Sequence, residues 1–343
     1  MTLNGINLKN YKLGKLPVNF LLVASAFLCL FASVLYAFEW DWASAFTMWP
    51  PWCWAALGVL AGTLKNNYGW KKSGLPILIA WILFLGLFAD ETSYPIRLFR
   101  HHPTQSRKDS GLKNGVIRIV SINCSVGQER VAQEAKAWDP DIVLLQESPY
   151  ISRMPSLAEE FFGKEGGWVC GHDTAILARG RCIDQGDEIE RRSIHHTRAH
   201  VELQDGTALE VVSIHLIAPS LRYDLLYYQA WQECAGLDRE RRKYLSELMS
   251  KLNSKNPEAT VILGGDFNVP GYDGILSELK PRLHDSFREH GVGWGHTGLN
   301  EMPVIRVDQI WLSKDLKSIG CMAVRTVYSD HRMVVCDVMK LRK

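Results

Sequence analysis

The sequence contains no CxxC or other close cysteine pairing, no internal repeat, no low-complexity run and almost no net charge. The missing pairs count against a zinc centre, which needs thiolates or imidazoles at characteristic spacings. Cys124, Cys170, Cys182, Cys234, Cys321 and Cys336 permit many disulfide connectivities, and spacing selects none. Repeat architectures are excluded. The formal charge is +2, with seven Lys or Arg and four Asp or Glu in the first 99 residues. The remainder carries 32 basic and 33 acidic residues, so no overall field draws in a polyanion. A general nucleic-acid binder is disfavoured on that count.

Charge is absent altogether from long stretches near the N-terminus. Residues 16–38, 43–64 and 73–89 are apolar and uncharged, and the first is long enough to cross a hydrocarbon core of about 30 Å as a helix. Pro50 and Pro51 bend the second stretch or mark its true start. Seven of the twelve tryptophans precede residue 100, with Trp40, Trp42, Trp49, Trp52 and Trp54 crowded as at a membrane–water interface. A cleaved signal would have a shorter apolar run and no further spans. The expectation is a membrane anchor over 1–91 with three transmembrane helices. Lys9, Lys12 and Lys15 precede the first span, and Lys65, Lys71 and Lys72 separate the second and third, whereas Glu39-Trp40-Asp41 follows the first. Positive-inside counting puts the N-terminus in the cytoplasm and the large C-terminal domain outside the plasma (inner) membrane.

Residues 92–114 lack apolar periodicity and read as a linker. From 115 to 343 strand-like and helix-like segments alternate. Strands are expected at Val116–Asn123, Ile142–Leu145, Thr174–Ala178, Ala208–His215, Val261–Leu263, Val307–Leu312 and Met333–Val338. Helices are expected over Val126–Trp138, stopped by Asp139-Pro140, and over Leu221–Leu252, with a break at Gly236. This pattern implies mixed sheets covered by helices.

Chemically able side chains recur where these strands end. Asn123 closes the first and Glu147 follows the second; His215 ends VVSIH, and Asp266 and Asn268 follow VILGG. Asp308 opens the next strand, and Ser329-Asp330-His331 precedes the last. Singly, each is a turn residue or a core histidine; together, at strand ends, they mark a site. In this order the segments SIN (to Asn123), DIVLLQE (Asp141–Glu147), AILAR (Ala175–Arg179), Ile214-His215-Leu216, GDFN (Gly265–Asn268), Arg306–Ile310 and Ser329–Val334 resemble the endonuclease/exonuclease/phosphatase superfamily. Ile214 replaces the usual Thr and Met333 the usual Pro, and neither change removes a functional group. The layout of short spans before a compact domain looks most like the bacterial membrane proteins linked with glycopeptide resistance.

The resemblance implies a four-layer α/β sandwich, two mixed β-sheets flanked by helices, and metal-dependent hydrolysis of phosphate esters. Glu147, Asn123 and Asp330 are the expected ligands of a hard cation, Mg²⁺ or Mn²⁺. Asp266 is the expected base for water, with Asn268 donating to the phosphoryl group. His331, held charged by Asp308, and His215 are the expected donors. No residue reads as a covalent nucleophile. A lipid-linked phosphate, pyrophosphate or phosphodiester at the bilayer is the expected substrate. Extracytoplasmic nucleic acid is the alternative, and a non-catalytic binding domain is a third reading.

Overall fold

Val116–Asn123 forms the first strand (β1), and every residue after Val116 is buried because β1 has a partner on each edge and a packed layer on each face. In the computed structural model, which describes residues 18–66, 74–100, 103, 115–186, 195–218 and 224–341, β1 pairs in parallel with β2 (Ile142–Gln146) and antiparallel with β13 (Met333–Lys340). The other strands are β3 (Gly167–Cys170), β4 (Thr174–Ala178), β5 (Gly180–Asp184), β6 (His196–Leu203), β7 (Ala208–His215), β8 (Val261–Asp266), β9 (Leu283–Asp285), β10 (Gly291–Val292), β11 (Asp308–Ser313) and β12 (Leu316–Val324). They build one sheet in the order β10-β12-β13-β1-β2-β4-β3 and a second in the order β5-β6-β7-β8-β11-β9. Each sheet has a parallel pair near its middle, β1 with β2 and β7 with β8, among mainly antiparallel neighbours.

Ile119, Leu144 and Ile176 of one sheet meet Val211, Ile262 and Ile310 of the other in the central core. The outer face of the first sheet packs on Val131, Leu157 and Phe162. That of the second packs on Leu245, Leu248 and Leu252 of the Tyr228–Lys255 helix. Each such fully buried aliphatic side chain contributes about 1.5–3 kcal/mol. The four-layer sandwich is the observed architecture. At one point it depends on backbone alone: Gly265 has φ +145°, and a Cβ there would lie 1.9 Å from the Ile214 carbonyl oxygen. Only glycine lets β8 approach β7 here.

Several local expectations change. The Tyr228–Lys255 helix runs unbroken through Gly236, where a Cβ would meet nothing. It begins at Tyr228 rather than Leu221; Leu221 and Tyr223 lie outside the described residues. The helix expected over Val126–Trp138 is shorter, Glu129–Glu134 continued by a 3-10 turn to Trp138. Strand β6 was not legible because its alternation is carried by buried His196, Thr197 and Arg198 rather than apolar residues. No disulfide joins any of the eight cysteines, all of them described residues.

By packing, the chain forms two units, one of Glu39–Met48 with Asp90–Lys343, the other of the apolar helices around Val18–Phe38 and Trp49–Ala89. In the helical unit, Val18–Phe38, Pro51–Asn66 and Leu75–Phe88 bury Leu22, Ala32, Leu35, Ala55, Trp81 and Phe84. Ser25 donates to the Gly58 carbonyl (3.0 Å) and accepts from Trp81 Nε1 (3.0 Å). Phe20, Phe27, Leu30, Ile82, Leu83 and Leu87 face outward. Among the described residues only Phe20–Phe38 is long and apolar enough to cross a membrane, with mean hydropathy 2.4 and one third of its span buried. At 1.5 Å per residue the 16- and 14-residue helices are about 24 and 21 Å long, short of a full hydrocarbon core.

The expected boundaries shift accordingly. The second apolar segment starts at Pro51, not residue 43, because Ser44 and its neighbours join the larger unit. In that unit Arg242 binds Asp41 (2.6 Å), His296 binds Glu91 (2.9 Å), and Arg97 lies 4.7 Å over the Phe287 ring. The linker expected over 92–114 therefore begins as packed structure. Residues 101–102 and 104–114, like Lys9, Lys12, Lys15, Lys71 and Lys72, lie outside the described residues.

Candidate active site

The carboxyl ends of the two parallel strand pairs face one another across the sandwich, and they carry Asn123, Glu147, His215 and Asp266. Register aligns His215 with Asp266 across β7 and β8, and Asp266 with Asp308 across β8 and β11. Asp266 Oδ2 is the focus. Asn123 Nδ2 donates to it from 3.3 Å and to Glu147 Oε1 from 3.1 Å. His215 Nε2 lies 3.8 Å and His331 Nδ1 3.7 Å from the same oxygen. His331 Nδ1 is also 2.9 Å from Asp308 Oδ2. The Asn268 amide N–H donates to Asp266 Oδ1 (2.9 Å), fixing the carboxylate's orientation. Glu147 (φ 45°) and Asn268 (φ 52°) both occupy left-handed backbone, a cost that surrounding structure sustains most often at functional sites.

Burial, reinforced by the Asp308 charge and opposed by His331 and His215, pushes Asp266 up to about 6. Burial pulls His331 down, but Asp308 above all, then Asp266 and Asp330, outweigh it and raise it to about 10. His215 is likewise raised against its own burial, by a hydrogen bond to Asp173 and the charges of Asp266, Asp173 and Glu147. At neutral pH the arrangement is an ionised, fairly basic carboxylate between two imidazoles biased toward the charged form.

Two of the expected site residues make further contacts, and one neighbouring residue was missed. Asp330 is exposed, its carboxylate accepting from the Ser125 hydroxyl at the rim. Asn268 Nδ2 donates to the Leu216 carbonyl (2.8 Å), so at most one amide hydrogen remains for a ligand. The residue missed was Asp173, just before β4, which binds His215 Nδ1. Its only sequence signal is an acidic residue ahead of a small-residue strand. Other motif residues are scaffold: Arg306 pairs with Asp285 (2.6 Å), and Asp141 accepts from Arg179 Nε (3.2 Å). Buried Thr297 accepts from the Asp308 amide (3.0 Å), anchoring the start of β11.

The donor chemistry fits a hard divalent cation. Asp266, Asp308 and His331 bring one ligand atom each within 4.8 Å of one another, and Asp308 Oδ1 is buried without a hydrogen-bond partner. Glu147 Oε1 accepts from Asn123 Nδ2 (3.1 Å), which also donates to Asp266 Oδ2 (3.3 Å). A charged His331 would offer no lone pair at Nδ1 to a metal, leaving the carboxylate oxygens as its ligands.

The sequence profile of the Endonuclease/Exonuclease/phosphatase family matches residues 120–331. No curated protein matches the chain significantly. Among solved structures, an endonuclease/exonuclease/phosphatase from Bacteroides vulgatus is 14% identical with TM-score 0.51, the match covering 66% of this chain and 99% of that one. A family protein from Bacteroides thetaiotaomicron gives 14%, 0.51, 67% and 99%. A functionally unknown conserved protein from Enterococcus faecalis gives 15%, 0.51, 65% and 100%. At such identities the likeness is one of fold.

Proposed function

The chain belongs to the endonuclease/exonuclease/phosphatase family of phosphoesterases and nucleases, and we propose that it is a Mg²⁺- or Mn²⁺-dependent hydrolase of a phosphate ester carried by a membrane lipid. The observation that carries the reading is the convergence of Asn123, Glu147, His215, Asp266, Asp308 and His331 on one oxygen and its neighbours. Asp266 accepts a proton from water as the water oxygen bonds to phosphorus. His331, charged through Asp308, donates to the phosphoryl oxygen on which charge develops. His215 Nε2 protonates the leaving oxygen as its bond to phosphorus breaks, and Asp173 holds the ring for that transfer. Because His215 Nε2 lies 3.8 Å from Asp266 Oδ2, the proton taken from water can pass back and restore both groups. Glu147, beside Asn123, would hold the cation, which polarises a phosphoryl oxygen when bound.

Membrane placement is supported by the apolar outer surface of the helical unit, where Phe20, Phe27 and Leu30 lie exposed. Such a surface suits lipid rather than water. Glu39–Met48, the connection after the first helix, packs in the same unit as Asp90–Lys343. The two therefore share one side of the bilayer. With the lysine-rich N-terminus inside, that side is extracytoplasmic.

The test is a hydrolysis panel with the full chain in vesicles and Mg²⁺ or Mn²⁺, comparing a polyprenyl pyrophosphate, sphingomyelin, phosphatidylinositol phosphates and supercoiled plasmid. Turnover of a lipid substrate with little nicking is expected. Efficient nicking without lipid turnover would make the protein a tethered nuclease, and no turnover of any substrate would leave a binding module.

A further inference from the structure

A second concave surface lies between Trp42 and the opening turns of the Tyr228–Lys255 helix. It encloses about 580 Å³ and is walled by Trp42, Leu226, Tyr228, Trp231, Ala235 and Arg239. Positions 228, 231, 235 and 239 form one stripe on the helix, running about 16 Å at 1.5 Å per residue. Trp42 stacks on Trp231 (6.1 Å between ring centres) and on Trp40 (5.5 Å), and Trp231 Nε1 donates to the Leu225 carbonyl (2.8 Å), fixing the wall. Leu226 is 99% exposed and Tyr228 72%, an apolar lip with no occupant from this chain's described residues. Arg239 is the wall's one charged residue, is exposed, and makes no ion pair among the described residues.

Chain connectivity identifies what covers this surface. Trp42 is four residues beyond Phe38, the end of the apolar first helix, and four residues reach no more than about 14 Å. The next apolar helix begins at Pro51. The wall is thus held within the headgroup region or just above it, the zone where tryptophan rings concentrate. An apolar trough opening there with a free guanidinium at one end matches a molecule with a hydrocarbon chain and an anionic head.

We propose that this groove takes one hydrocarbon chain of an anionic phospholipid from the adjoining leaflet, its phosphate paired with Arg239. The proposal rests on the first helix crossing the bilayer. It does not depend on which ester the active site cleaves.

The experiment uses the full chain in phosphatidylcholine vesicles containing phosphatidic acid with a diazirine on its acyl chain. After illumination, adducts are mapped by mass spectrometry, with no turnover required. Adducts are expected on peptides spanning Leu226–Arg239. Arg239→Glu and Leu226→Asp, both at exposed positions, should each lower them at least about fivefold, the scale of one lost ion pair or apolar contact. Adducts on the Val18–Phe38 helix should not change, and a diacylglycerol probe should label the groove less than phosphatidic acid. An unlabelled wild-type groove, or labelling indifferent to both substitutions, overturns the proposal. Copy-to-copy cross-links through Leu226 or Trp42 in place of lipid adducts would also overturn it. Failure of the hydrolysis panel would leave this result standing, so the two readings fail separately.

Discussion

Asp308→Asn tests the electrostatic core of the mechanism. His331 rises from 6.5 to about 10 with Asp308 as the strongest raising influence, a preference for the imidazolium of about 5 kcal/mol. A carboxylate 2.9 Å from Nδ1 gives about 6 kcal/mol by Coulomb's law at an effective dielectric of 20, so the two figures agree in scale. Asparagine keeps the shape and removes the charge. The mutant imidazole loses its strongest stabilising charge and is less protonated at pH 7.5 than in the wild type. The kcat should fall about 100- to 1,000-fold, the cost of one transition-state donor. The pH profile discriminates further. His331 acts while protonated, so wild-type rate is lost as pH rises through about 10, and in the mutant the alkaline limb moves down toward neutrality. The assay is a pH–rate profile from 5 to 10.5 on the substrate identified by the panel. An unshifted alkaline limb would refute the role of the Asp308–His331 pair, whatever the size of the rate loss.

Asp266→Asn should lower kcat at least about a hundredfold and remove the acid limb, since Asp266 accepts a proton only when ionised and is lost as base when pH falls through about 6. A mutant that retains that limb would assign it to another group. Chelation should abolish turnover, and Glu147→Gln should weaken Mn²⁺ binding at least about tenfold, read by electron paramagnetic resonance of free Mn²⁺, while His331→Gln leaves it unchanged; the reverse pattern would seat the ion among Asp266, Asp308 and His331. A reporter active only in the cytoplasm, fused after Lys343, should be silent, and a strong signal would invert the proposed topology.

The catalytic strands were legible because their positions are written twice, once in apolar runs and once in the polar residue closing each run. VIRIVSIN and VILGGD both end on a site residue, and both are observed strands. What escaped was information carried by contact rather than pattern. Asp173 reads as a loop acid until β4 brings it to His215. Asn268 reads as a substrate donor until the Leu216 carbonyl takes its amide. Strand β6 hides because its inward side chains include polar ones satisfied by neighbours, as Thr197 is by Thr174 (2.8 Å). The segment 39–48 follows the same rule. Its tryptophans read as interfacial, but nothing local announces that Asp41 binds Arg242.

That pairing has a consequence for how the molecule is made. Asp41 and Arg242 are 201 residues apart, and the helical hairpin between Trp49 and Ala89 is, in packing terms, an insertion inside the catalytic unit. During synthesis the 39–48 segment emerges early and finds its partner only once the Tyr228–Lys255 helix is complete. The larger unit is therefore completed only after the helical unit has been made. A fragment begun near residue 104 would leave Arg242, Trp231 and His296 without Asp41, Trp42 and Glu91, so a cut there divides the larger unit itself.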